Sequence, residues 1–208
     1  MNIYELTLNE YLDAASSKSS TPGGGSVSAV VAANASAMVS MVANLTLCKK
    51  GYEDVQDVVG SILEVMSKNM TNIKELTQKD MQVFQSFMEA WRLPSATEEE
   101  KSGKSIAMEK AAQNASTVPL ELCSACIEIL RQACRLAPIG NKTAISDVGV
   151  GAYLAEAALN AAMLSVDINL PMIREEAFKE KLLMEKKRLL AEAEELKSEA
   201  VAEVRKRL

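Results

Sequence analysis

Apolar residues recur along this chain at helical spacing, and no stretch alternates apolar and polar positions at period two. Thr7-Leu8-Asn9-Glu10 has the form of a capping box and predicts a short helix to about Ser16. The Ser-, Pro- and Gly-rich run from Ser16 to Gly25 reads as a loop. Ser26 is then expected to N-cap a helix rich in Ala and Val, which Lys49-Lys50-Gly51 should end with cations in its last turn and a C-cap glycine. The clearest pattern follows, from Asp54 to Trp91. Val55, Val59, Ile62, Met66, Met70, Ile73, Thr77, Phe84, Met88 and Trp91 fall on one face of a single long helix.

Leu93-Pro94 stops that helix, and Thr97 with Glu100 forms a second capping box opening a helix toward Thr117. Pro119 suits the first turn of a separate helix that ends before Pro138. Pro138 to Lys142 reads as a tight turn, and Ser146 or Asp147 as the cap of a second small-residue helix. Asn169-Leu170-Pro171 breaks the chain again. From about Glu175 to Leu208 an amphipathic helix carries Phe178, Leu182, Leu189, Ala193, Leu196, Ala200 and Val204 on its apolar side. No repeat of 20–50 residues is present, so the pattern predicts an all-α helical bundle with long helices, in one domain spanning residues 1–208.

Composition narrows the class. With 208 residues and 48% hydrophobic content, one core can bury most of the apolar surface without a disulfide or metal as a staple. The net charge of -5 argues against nucleic-acid binding. Residues 174–208 mix 9 acids with 10 bases, which argues against a membrane-surface anchor. The apolar run from Ser26 to Leu47 is long enough to span a membrane, but its internal Ser and Asn residues and its Ala/Val content fit a buried central helix better. No signal-peptide pattern is seen, so a cytoplasmic location with four free thiols is expected.

The absence of histidine restricts the chemistry most. A Ser-His-Asp triad, a Cys-His pair and any His-bearing zinc site are excluded, and acid–base work falls to Asp, Glu, Lys, Cys, Tyr or water. Asp80 stands out, because it lies only about 40° from Phe84 on the helical wheel, within the apolar stripe. Such an acid is either paired or functional, and burial would raise its pKa. Gly23-Gly24-Gly25-Ser26 at a helix start offers free N–H groups to a carboxylate or phosphate; it serves equally well as a flexible turn. The turn at Gly140-Asn141-Lys142, followed by Ser146-Asp147, has the same turn-into-helix form. Cys123 and Cys126 sit one helical turn apart with no second such pair, and read as buried small hydrophobes rather than a metal or redox site.

Taken together, these segments resemble the cyclodeaminase domain of formiminotransferase-cyclodeaminase and its stand-alone bacterial members. The resemblance rests on Pro22 to Val27, Met41-Val42 ahead of Lys49-Lys50, Asp80 with Phe84, and Met88 through Pro94. It continues through Thr97 and Glu99 to Lys101, Val118-Pro119-Leu120, Gly140-Asn141 with Ser146-Asp147, and Ile168-Asn169-Leu170. The cysteines and the charged tail lie outside that pattern. The resemblance implies an all-α homodimer that closes 5-formiminotetrahydrofolate to 5,10-methenyltetrahydrofolate with loss of ammonia. Some stand-alone relatives are instead methenyltetrahydrofolate cyclohydrolases. On this basis Asp80 is expected to be the general acid/base and Asp147 a second carboxylate acting as an electrostatic stabiliser. Gly23, Gly24, Gly25, Ser26 and Asn141 would bind polar edges of the reduced folate, and Lys49 or Lys50 its glutamate carboxylates. No metal or separate cofactor is expected. A non-enzymatic helical scaffold is the contrasting possibility, and it would leave Asp80 and the three glycines unexplained.

Overall fold

The computed structural model describes residues 2–208, and among them every regular element is helical. Six α-helices follow in order: α1 (Leu8–Ala15), α2 (Gly24–Thr46), α3 (Gln56–Trp91), α4 (Glu98–Leu136), α5 (Ile145–Asn169) and α6 (Glu176–Arg205). The all-α bundle expected from the pattern is the fold observed.

The small-residue helices α2 and α5 form the centre. Gly151 of α5 lies so close to α2 that an added Cβ would stand 2.9 Å from Val39 Cγ2 and 3.1 Å from the Ala35 carbonyl. The two helices run antiparallel: the end of α2 bonds to the start of α5's approach, where Asn141 N–H donates to Thr46 Oγ1. Helix α3 runs back along α2 and against α4, to which Asn69 is tied by its amide donating to the Ala125 carbonyl. Helix α6 lies along α4 and α5, burying Leu182, Leu189, Ala193, Ala200, Val201 and Val204. Its ion pairs Arg131–Glu192, Lys186–Asp167 and Lys197–Glu156 fix the register. The amphipathic tail is therefore a full wall of the bundle.

Both capping boxes form as expected, at Thr7/Glu10 and Thr97/Glu100. Four boundaries differ from the sequence pattern. Helix α2 starts at Gly24 with Gly23 as its N-cap, so Ser26 lies in the first turn, and its hydroxyl is taken by Asp80. The same helix stops at Thr46, short of Lys49–Gly51. There the chain turns through two left-handed residues, Cys48 (φ 54°) and Gly51 (φ 87°). The Gln56 amide holds this turn, accepting from Cys48 N–H and donating to the Tyr52 carbonyl.

Helix α4 passes straight through Pro119 where two helices were expected. An interior proline, which loses its N–H bond and crowds the preceding turn, costs roughly 3 kcal/mol, while the buried side of α4 is continuous from Ala111 through Leu122 to Leu136, so packing prevails. Finally, neither Ser146 nor Asp147 caps α5, which begins at Ile145 without a side-chain cap. Asn141 instead caps the short 3-10 turn Lys142–Ala144, accepting from Thr143 N–H.

Helices α2 and the Lys142–Met172 segment are long and apolar enough to cross a membrane by length and composition, with about half of each apolar window buried inside the bundle.

Candidate active site

At the N-terminal end of α2, two helices meet more closely than side chains normally allow. Gly25 faces Asp80 of α3, and a Cβ on Gly25 would lie 2.2 Å from Asp80 Oδ1 and 2.7 Å from Cγ. Only glycine permits this approach. One residue on, Ser26 Oγ donates to Asp80 Oδ2 at 3.0 Å. Burial raises the Asp80 pKa above its ordinary value, and hydrogen bonds from the Ser26 side chain and backbone pull the other way without cancelling the shift. The carboxyl is thus held by α2 in a partly dehydrated position and biased toward its protonated form.

Asp80 opens on a cleft of about 450 Å³, within the range of small-molecule sites. Gly23, Gly24 and Gly25 form one edge, with Ser20 and Thr21 of the preceding loop. The apolar wall comes from Val83, Phe84 and Phe87 of α3 and Val118 of α4. Ser165, Ile168 and Asn169 close it from the last turn of α5, with Met172 just beyond. Trp91 stands at the rim, 57% exposed. The outer part of the α3 stripe, expected to be core, therefore walls a cleft: as far as Thr77 most of the stripe is buried, and beyond it Phe84 and Met88 are half-buried and Trp91 is exposed. No Lys or Arg lines this cleft.

The structure joins Gly23, Gly24, Gly25, Ser26 and Asp80 in one place, but not the remaining candidates. Lys49, Lys50, Asn141 and Asp147 cluster at the other end of α2, some ~30 Å away along a 23-residue helix. Lys49 rests over the Tyr52 ring. Asn141 is buried and its amide is already used, donating to the Leu45 carbonyl and accepting from Thr143. None of these residues lines the cleft at Asp80. Conversely, Phe87, Ser165 and Met172 were not singled out from sequence, and Val118 entered only within the Val118-Pro119-Leu120 motif of the resemblance. Phe84, Phe87 and Trp91, at helical spacing beyond the acid, were the available signal for the apolar wall.

Cys123 and Cys126 are buried, as expected for packing residues. Burial pushes the Cys123 thiol up to about 12 and Cys126 well above its ordinary value, and Cys123 Sγ points to the Leu159 carbonyl at 3.6 Å. Among the described residues, no group of three His, Cys, Asp or Glu side chains is arranged to hold a metal ion.

Residues 7–188, which include the whole cleft, match the profile of the formiminotransferase-cyclodeaminase family. The chain belongs to that family. A methenyltetrahydrofolate cyclohydrolase of Methylorubrum extorquens is 37% identical over 187 residues, 90% of each chain. The formimidoyltransferase-cyclodeaminase of Gallus gallus is 32% identical over 200 residues, 96% of this chain but 37% of that longer protein. In fold, the formiminotetrahydrofolate cyclodeaminase of Thermotoga maritima superposes with a TM-score of 0.88 at 32% identity, covering 98% of both chains. That coverage extends beyond the family match and takes in α6, so the charged tail set outside the pattern from sequence is shared with that cyclodeaminase fold.

Proposed function

We propose that the chain is a folate one-carbon enzyme that converts 5-formiminotetrahydrofolate to 5,10-methenyltetrahydrofolate with release of ammonia. The observation that carries this is Asp80: a carboxyl with a raised pKa, clamped by Gly25 and Ser26, at the head of a ligand-sized apolar cleft in a chain of this family. In the reaction, N10 attacks the carbon of the protonated formimino group and loses its proton, that proton is passed to the formimino nitrogen, and the C–N bond to it breaks with the electron pair on nitrogen, releasing ammonia and leaving the methenyl cation. A carboxyl whose pKa burial raises can take the N10 proton and deliver it to the leaving amine. Gly23–Ser26 would hold polar edges of the pterin, and Phe84 and Phe87 would pack on its rings. No cofactor beyond the folate itself enters this scheme.

The second reading is methenyltetrahydrofolate cyclohydrolase, favoured by the high-coverage relative of that name. Water would attack the methenyl carbon, one proton passing to Asp80; the C–N5 bond of the hydroxy adduct would then break as N5 takes that proton back and the hydroxyl proton is lost to solvent, giving 10-formyltetrahydrofolate. Purified protein incubated with each substrate in turn distinguishes the two: methenyl absorbance rises for the cyclodeaminase and decays for the cyclohydrolase. No change with either substrate would sink both.

We further propose that the enzyme acts as a homodimer in the cytoplasm, where its free thiols stay reduced. Support comes from α5, whose outer face exposes Val150, Tyr153, Ala157, Ala161, Leu164 and Ile168 in one stripe, with Leu164 at 68% and Ile168 at 73%. An apolar helix with one bare face is expected to be covered. The stripe carries no charge, since Glu156 and Asp167 turn toward lysines of α6, and its alanines sit at the middle. Such a face is complementary to itself across a two-fold axis. An antiparallel second copy would set the Lys49–Asp147 end of one protomer beside the cleft of the other, the arrangement in which those residues could serve the reaction.

A further inference from the structure

Helix α4 carries its interior proline beside the cleft. Helices α3 and α4 run antiparallel, with Asn69 bonded to the Ala125 carbonyl and Lys79 Nζ 2.7 Å from Glu121 Oε2, so Asp80 stands close to the level of Pro119. Gly25, Asp80, Val118 and Pro119 also line one small cavity of about 10 Å³. In a regular helix the N–H of residue 119 would bond to the carbonyl of Ala115. Proline has no N–H, and its ring crowds that carbonyl and tilts it away from the helix.

Ala115 is half-buried and lines the Asp80 cleft. No side-chain donor among the described residues reaches its carbonyl, because the adjacent hydroxyls are spent elsewhere: Ser116 Oγ donates to the Ala112 carbonyl and Thr117 Oγ1 to that of Gln113. Helical carbonyls point toward the C-terminus, so the Ala115 oxygen is directed from the wall of the cleft toward the level of Asp80. A carbonyl in this setting needs a donor, and a ligand in the cleft can supply one.

We propose that the Ala115 carbonyl, freed by Pro119, accepts a hydrogen bond from the formimino N–H and holds that group during ring closure. The inference rests on the cyclodeaminase reading above. The protonated formimino nitrogen carries two N–H bonds, and a third forms when Asp80 returns the N10 proton to it. Asp80 already accepts from Ser26 and moves that proton, so a second acceptor is needed to orient the nitrogen. The bond is strongest as the nitrogen becomes an ammonium group, which places its effect on the chemical step more than on binding. Ala115 touches the substrate, and Pro119 is the positioning residue behind it.

The test restores the missing N–H. Pro119→Ala should fold with a Tm at or above wild type, since an interior proline is removed. Its kcat on 5-formiminotetrahydrofolate should fall by about tenfold to a hundredfold, with KM changed by less than about twofold. Pro119→Val restores the same N–H with a fuller side chain and covers the case where alanine loosens the buried wall. Calorimetry with 5-formyltetrahydrofolate, whose formyl oxygen replaces the formimino nitrogen and carries no N–H, should give the same affinity for wild type and both variants. Pro119→lactate, a backbone ester that has the alanine side chain but no N–H, should rescue kcat to within about threefold of wild type. An unchanged kcat in the two N–H variants, a loss of 5-formyl binding in parallel with kcat, or an ester as slow as Pro119→Ala overturns the inference while the cyclodeaminase reading stands. A wild type that does not turn over 5-formiminotetrahydrofolate removes both.

Discussion

Asp80 is subject to two opposed effects of unequal size. Burial disfavours its charge, and the Ser26 hydrogen bonds favour it, with burial the larger. Because the folded pKa is raised, the folded state holds this proton to higher pH than the unfolded chain does. Its ionisation therefore lowers stability as pH rises from the ordinary carboxyl value through the raised one. Asp80→Asn removes that cost while keeping an acceptor for Ser26. We expect scanning calorimetry at pH 8 to show a Tm at or above wild type, with turnover down by about 10²–10⁴-fold. An Asn variant that turns over like wild type would exclude the proton-transfer role. The position of Asp80 was legible from sequence because one acid interrupts an apolar stripe. The role of Ser26 was not, since it depends on a contact 54 residues away in the chain.

At the level of elements, the long amphipathic helices were read well and the caps were read locally, which is where errors arose. The pattern placed α3 almost to its ends, and it placed a break at Pro119 that packing overrides. Ser146 and Asp147 looked like caps, but the turn before α5 is organised by Asn141 through contacts with α2. The same close packing gives two glycines of α5 different meanings. A Cβ at Gly151 would press on α2 at 2.9 Å, while at Gly149 it would meet only Val204 at 3.5 Å, an ordinary contact. Urea unfolding should therefore find Gly151→Ala destabilised by about 1–3 kcal/mol. Gly149→Ala should be neutral or gain up to about 1 kcal/mol from helix propensity. Equal effects at the two sites would show that α2 and α5 do not pack this tightly.

For the whole molecule, the bare face of α5 connects fold to function. It runs from the Asn141 end to Ile168, which also lines the cleft. A charge at its middle, Ala157→Arg, would set two guanidiniums against each other across a two-fold axis. Sedimentation at micromolar concentration should show wild type as a dimer and this variant as a monomer with native circular dichroism. A wild type that sediments as a monomer would end the dimer proposal. Residues at both ends of α2 belong to the motifs that carry the family resemblance, yet one protomer brings only one end to the cleft. That separation could be known only from three dimensions.

Sequence alone determined the helical class, the long α3, both capping boxes, the amphipathic tail and the suspicion attached to Asp80, because each follows from the period of apolar residues or from spacing within a few positions. Missing histidine likewise narrowed the chemistry without any structure. Only the tertiary fold decided that Gly25 lies against Asp80, and that Phe84 and Trp91 wall a cleft rather than fill a core. Those facts arise where distant segments touch, and a helical period read along one segment cannot say which neighbour its face will meet.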